Sequence, residues 1–123
     1  LGTGIVYGDD GFQGARLPTQ WAMTADIVRA LGRMVPAPVE HLYCDNAVLD
    51  LGMAADCIRY LPDVLIEHMH PIAQKADLDD GYRRVNSRRQ YVADCAAYQR
   101  WHDERLPDDA VTVRALRQEV GTP

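Results

Sequence analysis

Gly4-Ile5-Val6-Tyr7-Gly8-Asp9-Asp10-Gly11 is the stretch from which the fold is read. Its β-branched and aromatic residues suit a short strand. The Gly/Asp run that follows is turn chemistry, because both residue types tolerate a left-handed backbone. A strand this close to residue 1 predicts a chain that begins inside a core sheet, with further sequence expected before Leu1. Working outward, Leu17-Pro18 opens the next segment and Gln20 to Met23 reads as extended. Thr24 is placed to cap a short helix with Asp26 in its first turn, where the helix dipole favours an anion. Ile27, Val28 and Leu31 form its apolar face, and Gly32 is its left-handed stop.

Pro36-Ala37-Pro38 is a rigid connection, and His41-Leu42-Tyr43 reads as a short extended piece. Asp45 is then expected to cap a helix carrying Val48, Leu49, Leu51 and Met53. Ile58 to Leu61 and Val64 to Glu67 are apolar, β-branched runs divided by Pro62-Asp63, which implies a hairpin or a bent strand. The strand continues as Glu67-His68-Met69-His70. After Pro71 the pattern becomes helical. Asp77 to Val85 is one candidate. Ser87 caps another, from Arg88 to about Glu104, with Tyr91, Cys95, Tyr98 and Trp101/His102 in phase. Pro107, Asp108 and Asp109 are expected to break it before a last amphipathic helix from Val111 to Glu119.

The bulk numbers bound the function. At 123 residues, with 47% hydrophobic and 25% charged residues, the chain is one ordinary globular domain at most. A net charge of −5 argues against a broad nucleic-acid-binding surface, which would be basic. No apolar run approaches the ~20 residues of a membrane span, and Leu1 to Gly4 has no signal-peptide character. Cys44, Cys57 and Cys95 are odd in number and form no Cys-x-x-Cys pair. They read as free thiols in a reducing, cytoplasmic setting.

Three groups of residues carry candidate chemistry. On a strand, His68 and His70 share one face while Glu67 and Met69 share the other. Two imidazoles separated by ~7 Å of backbone rise share a metal if the strand bends or a third ligand approaches. The plainer reading is one core histidine and one exposed histidine, because a metal needs at least three well-placed ligands. Asp45 sits at a loop-to-helix junction, where helix capping is the plainer role and a general base for a hydroxyl the functional one. Asp9-Asp10 is either an ordinary turn or a carboxylate pair for Mg²⁺ or Mn²⁺, which prefer oxygen ligands. Lys75 offers a point charge to a phosphate, or a solvated surface. Arg83, Arg84, Arg88 and Arg89 form a basic run with the same two readings.

The order of these segments resembles the C-terminal half of GT-A-fold glycosyltransferases, especially the short phage and bacterial ones. The resemblance is carried by Val6-Tyr7-Gly8-Asp9-Asp10 with Leu17-Pro18-Thr19, Asp26-Ile27-Val28 through Leu31-Gly32, and His41-Leu42-Tyr43-Cys44-Asp45-Asn46. It continues in Leu51-Gly52 and in Tyr60-Leu61-Pro62-Asp63-Val64 running into Glu67-His68-Met69-His70, and closes on Lys75-Ala76 and Asp79. It spans roughly Ile5 to Trp101. It implies an α/β fold: the C-terminal part of a GT-A-like mixed-sheet domain over residues 1–75, followed by a helical extension over 76–123.

The resemblance also implies transfer of a sugar from a nucleotide-sugar donor to an acceptor hydroxyl, assisted by Mn²⁺ or Mg²⁺. Asp45 would be the base. His70 and Lys75 would contact the donor diphosphate, and His68, His70, Asp9 and Asp10 would serve the metal. The acceptor would be a glycan, a protein or a modified nucleic-acid base. Such enzymes bind the nucleotide with an N-terminal βαβ half ending in an Asp-x-Asp-like metal motif. That half is not found here, so it is expected upstream, or on a partner such as a second copy. Two other classes stay open: a non-catalytic binding or assembly module, and a small hydrolase built on His68, His70 and Asp45.

Overall fold

The computed structural model describes residues 2–67 and 87–121, with side chains described as far as Arg117 in the last helix. The strands are β1 (Ile5–Asp9), β2 (Trp21–Met23) and β3 (Ile58–Leu65). Among the described residues the helices are α1 (Ala25–Leu31), α2 (Cys44–Ala54), α3 (Arg88–Glu104) and α4 (Leu106–Gly121), with a 3-10 turn at Gly14–Arg16. The sheet order is β2-β1-β3. β1 pairs antiparallel with β2 and parallel with β3. The mixed α/β class expected from the sequence is therefore observed.

Alternation along β1 divides the sheet into two faces. Ile5 and Tyr7 are buried on one, opposite Met23 and Trp21 of β2 and Ile58 and Tyr60 of β3. Against this face the helices build the core: Ile27 from α1, Ala47, Val48 and Leu51 from α2, Trp101 from α3, and Ala110 and Val113 from α4. Val6, Ala22 and Arg59 share the other face and are exposed. The C-terminal helices thus pack into the same core as the strands. α4 lies against α1, α2 and α3, and Trp101 Nε1 donates to Asp109 Oδ2 at 2.8 Å across the α3–α4 turn.

Several local expectations hold. Ser87 caps α3, its Oγ accepting the Gln90 N–H at 3.2 Å. Gly32 ends α1 with a left-handed φ of 80° and returns its N–H to Val28. The Pro62-Asp63 break resolves as a bent strand rather than a hairpin. Gly8 pairs with Leu61 and Asp9 with Leu65, so Pro62, Asp63 and Val64 bulge out of the ladder between them. The bulge folds back over β1. A Cβ on Gly8 would meet the Val64 carbonyl oxygen at 2.5 Å, so only glycine fits there.

Others are corrected. Thr24 occupies the cap position of α1, but its hydroxyl accepts from the Gly4 N–H and donates to Asp26 rather than capping helical amides. His41-Leu42-Tyr43 is a bend, not an extended piece, with Tyr43 left-handed at φ 67°. Tyr43 is also the residue that precedes α2, and Asp45 lies inside the first turn instead of capping it. Pro107 does not separate α3 from a helix beginning at Val111. α4 already begins at Leu106, because a proline in the first turn gives up an N–H that has no helical partner. Asp108 and Asp109 sit in that first turn, where the dipole favours them. The strand Glu67-His68-Met69-His70 is described only at Glu67, which follows the end of β3. The helix expected over Asp77 to Val85 lies outside the described residues.

α2 enters β3 through residues 55–57, and the two pack through Gly52, whose added Cβ would stand 2.5 Å from the Ile58 Cβ. Arg114 and Arg117 of α4 donate to the carbonyls of Ala54 and Asp56 at the C-terminal end of α2, where cations oppose the helix dipole. Gly52→Ala should therefore destabilise by about 1–3 kcal/mol through overpacking and lower Tm by several degrees. Gly2→Ala, which meets nothing within 4 Å, should leave Tm unchanged. Thermal melts followed by circular dichroism check both.

Candidate functional site

Parallel pairing puts the carboxyl ends of β1 and β3 on one edge of the sheet, the edge at which open α/β sheets bind ligands. Asp9 and Asp10 end β1 there, and Ile66 and Glu67 leave β3 there. α2 leads into β3 through residues 55–57 and packs on it at Gly52. Asp45 lies in the first turn of α2. His68, His70 and Lys75 lie outside the described residues.

The two aspartates after β1 do different work. Asp10 is only 1% exposed. Its Oδ1 accepts the N–H groups of Phe12 at 2.8 Å and Gln13 at 2.6 Å, and its Oδ2 accepts the Thr19 hydroxyl at 2.5 Å. Burial alone would raise its pKa. The hydrogen bonds from Thr19, Gln13 and Phe12 outweigh it and hold the carboxyl below the usual carboxylate range. Asp10 thereby ties the loop from residue 11 to Thr19 onto the end of β1. Asp9 is the more exposed of the pair, and its Oδ1 accepts the Gly11 N–H at 2.9 Å. The Tyr7 hydroxyl donates to the Ala15 carbonyl at 2.7 Å, and its ring lies 5.2 Å from that of Tyr60, closing the loop over the sheet.

The amino end of α2 is held by a second buried carboxylate. Asp94 of α3 is 2% exposed and accepts three successive backbone N–H groups, from Glu40 at 2.9 Å, His41 at 3.1 Å and Leu42 at 2.7 Å. Here too burial raises the pKa and the hydrogen bonds, led by Glu40 and Leu42, hold it below the usual range. Tyr43 follows, its ring stacked on Tyr98 at 5.1 Å and tilted against Tyr91 at 5.7 Å. Hydrogen bonding with Tyr91, then burial, pushes the Tyr43 phenol above its ordinary range. The Tyr98 hydroxyl donates to Asp50 of α2. Cys44 donates to the His41 carbonyl at 2.9 Å. Burial first, then the charges of Asp45 and Asp94, raise its pKa, which disfavours the thiolate.

Sequence reading missed Asp94, and no local signal marks it, since its partners lie more than fifty residues away. Asp10 was legible as a turn residue. An aspartate whose side chain takes the N–H groups two and three residues on is the usual reason for Asp in such turns. Among the described residues no three His, Cys, Asp or Glu side chains converge on a metal-sized site. The three cysteines are free thiols, and no helix of the described residues is long and apolar enough to cross a membrane.

The lowered pKa values of Asp10 and Asp94 have a consequence for acid stability. A depressed folded-state pKa contributes stability that is complete above the unfolded value, about 3.9 for aspartate. That stability is lost as pH falls through the folded-state value. Tm should be level from neutral pH down to about 5 and drop below about 4. Asp10→Asn should lower Tm at pH 7 and flatten the acid slope, measured by melts across a pH series.

No protein-family model matches the chain, and none of the curated proteins or solved structures compared with it matches either.

Proposed function

We propose that this chain is the acceptor-side part of a GT-A-like glycosyltransferase, with Asp45 as the base. One observation supports the reading: the Asp9-Asp10 turn and the end of β3 lie at the carboxyl edge of the parallel β1–β3 pair, and Asp45 lies in the first turn of α2, the helix that precedes β3. The resemblance in segment order supports it independently. In the proposed reaction the acceptor oxygen bonds to the anomeric carbon of the donor sugar, and the bond from that carbon to the diphosphate oxygen breaks. Asp45 takes the acceptor's proton.

The residues present fit a divalent cation only in part. Asp10 spends both oxygens on its loop, leaving Asp9 as the available carboxylate of the pair. Further ligands would have to be His68, His70 and the donor diphosphate itself. When bound, such a cation offsets the charge that builds on the leaving diphosphate. Lys75 would add a point charge to the same phosphates.

The test is turnover of a panel of nucleotide sugars by the protein, with and without Mn²⁺, in wild type and Asp45→Asn. Loss of a general base typically costs ~10²–10⁴-fold, so the variant should retain at most about one hundredth of the rate. Unchanged turnover removes Asp45 from the base role. Tight metal binding without any nucleotide sugar favours a His/Asp hydrolase instead. Neither metal binding nor turnover leaves the binding-module reading.

A further inference from the structure

Residues 33–43, between α1 and α2, form no helix or strand. Arg33 Nε donates to the Pro36 carbonyl at 2.6 Å, and the Val39 N–H donates to the Ala37 carbonyl at 2.9 Å. Beyond Val39 the three N–H groups of Glu40, His41 and Leu42 all end on one carboxylate, that of Asp94. A buried backbone donor without a partner is costly, and a charged acceptor is the strongest partner available. The next residue, Tyr43, is left-handed. For a residue with a side chain this costs on the order of 1–2 kcal/mol, so its surroundings must enforce it.

They do so from one helix. Tyr91, Asp94 and Tyr98 of α3 are spaced three and four residues apart and therefore share a face. Asp94 fixes the chain before Tyr43, while Tyr91 and Tyr98 hold its ring. Only Tyr43 and Cys44 separate the clamped Leu42 from Asp45. A rotation at Tyr43 is therefore passed directly into the first turn of α2.

We infer that Asp94 is a positioning residue for Asp45: by gathering the amides of Glu40, His41 and Leu42 it sets where the amino end of α2 points. The inference rests on the glycosyltransferase reading of Asp45 and adds to it the group that aims the base. Asp94 touches no substrate. Its effect is on geometry, and a misplacement of ~1 Å costs about 10²-fold in rate.

The experiment compares wild type, Asp94→Asn, Asp94→Glu and Tyr98→Phe, each by melting temperature, by kcat and KM for the nucleotide sugar that wild type uses, and by amide hydrogen exchange at Glu40, His41 and Leu42. Asp94→Asn replaces one acceptor oxygen by an NH₂ that faces N–H donors. It should speed exchange at all three amides and lower kcat by at least tenfold, with KM for the donor within about twofold. Asp94→Glu keeps the charge and should restore part of kcat, and it serves alone if the asparagine variant does not fold. Tyr98→Phe keeps the ring stack but loses the bond to Asp50. It should lower Tm while leaving kcat within about twofold.

An Asp94→Asn protein with freed amides and wild-type kcat overturns the positioning role and leaves the glycosyl-transfer reading standing. Equal losses of kcat in Asp94→Asn and Tyr98→Phe also overturn it, since general loosening then explains both. A folded wild type that turns over no nucleotide sugar overturns the reading itself, and the positioning role falls with it.

Discussion

The parallel pairing of β1 with β3 is the constraint on which the rest depends. Two parallel strands cannot be joined by a tight turn, so the chain must leave one end of the sheet and return to the other. Here the excursion contains β2, α1 and α2. It returns through α2, which packs with Ile5 and Ile58. The close approach at Gly52 lets the last helix before β3 sit directly on the strand it feeds.

Two buried aspartates hold the irregular chain on either side of this frame. Asp10 gathers a loop that follows it by a few residues, whereas Asp94 gathers one from across the fold. An ionised carboxylate removed from water is destabilising unless its oxygens are filled. Each of these is filled by three donors from segments without regular structure. Such segments cannot satisfy their own amides, so the two needs are met together. The carboxylates are thus the counterpart, in loops, of the backbone ladders in strands.

The elements legible in the sequence are those whose signals are local. Ser87 with α3, Gly32 ending α1, and the strand signature of Ile5 to Tyr7 depend on residues within one or two turns of one another. The misreadings share the opposite cause. His41-Leu42-Tyr43 has the composition of an extended piece, yet Asp94 and two tyrosine rings from α3 bend it. Pro107 looks like a helix breaker, yet it falls where the helix has no use for its missing N–H. Asp45 was recognised as a helix-start carboxylate. What holds that helix start in place was not legible, because it belongs to another helix. His68 and His70 lie outside the described residues.

The bulge at Pro62, Asp63 and Val64 has a consequence for how the sheet meets its surroundings. Among the described residues β3 is an edge strand, and an edge strand normally offers a ladder of amides and carbonyls to any passing chain. Proline supplies no amide, and three bulged residues throw the hydrogen-bonding repeat out of step. A strand added beside Ile58 to Leu61 would lose its register before reaching Leu65. The distortion that wraps Val64 over Gly8 therefore also blunts this side of the sheet against growth by strand addition.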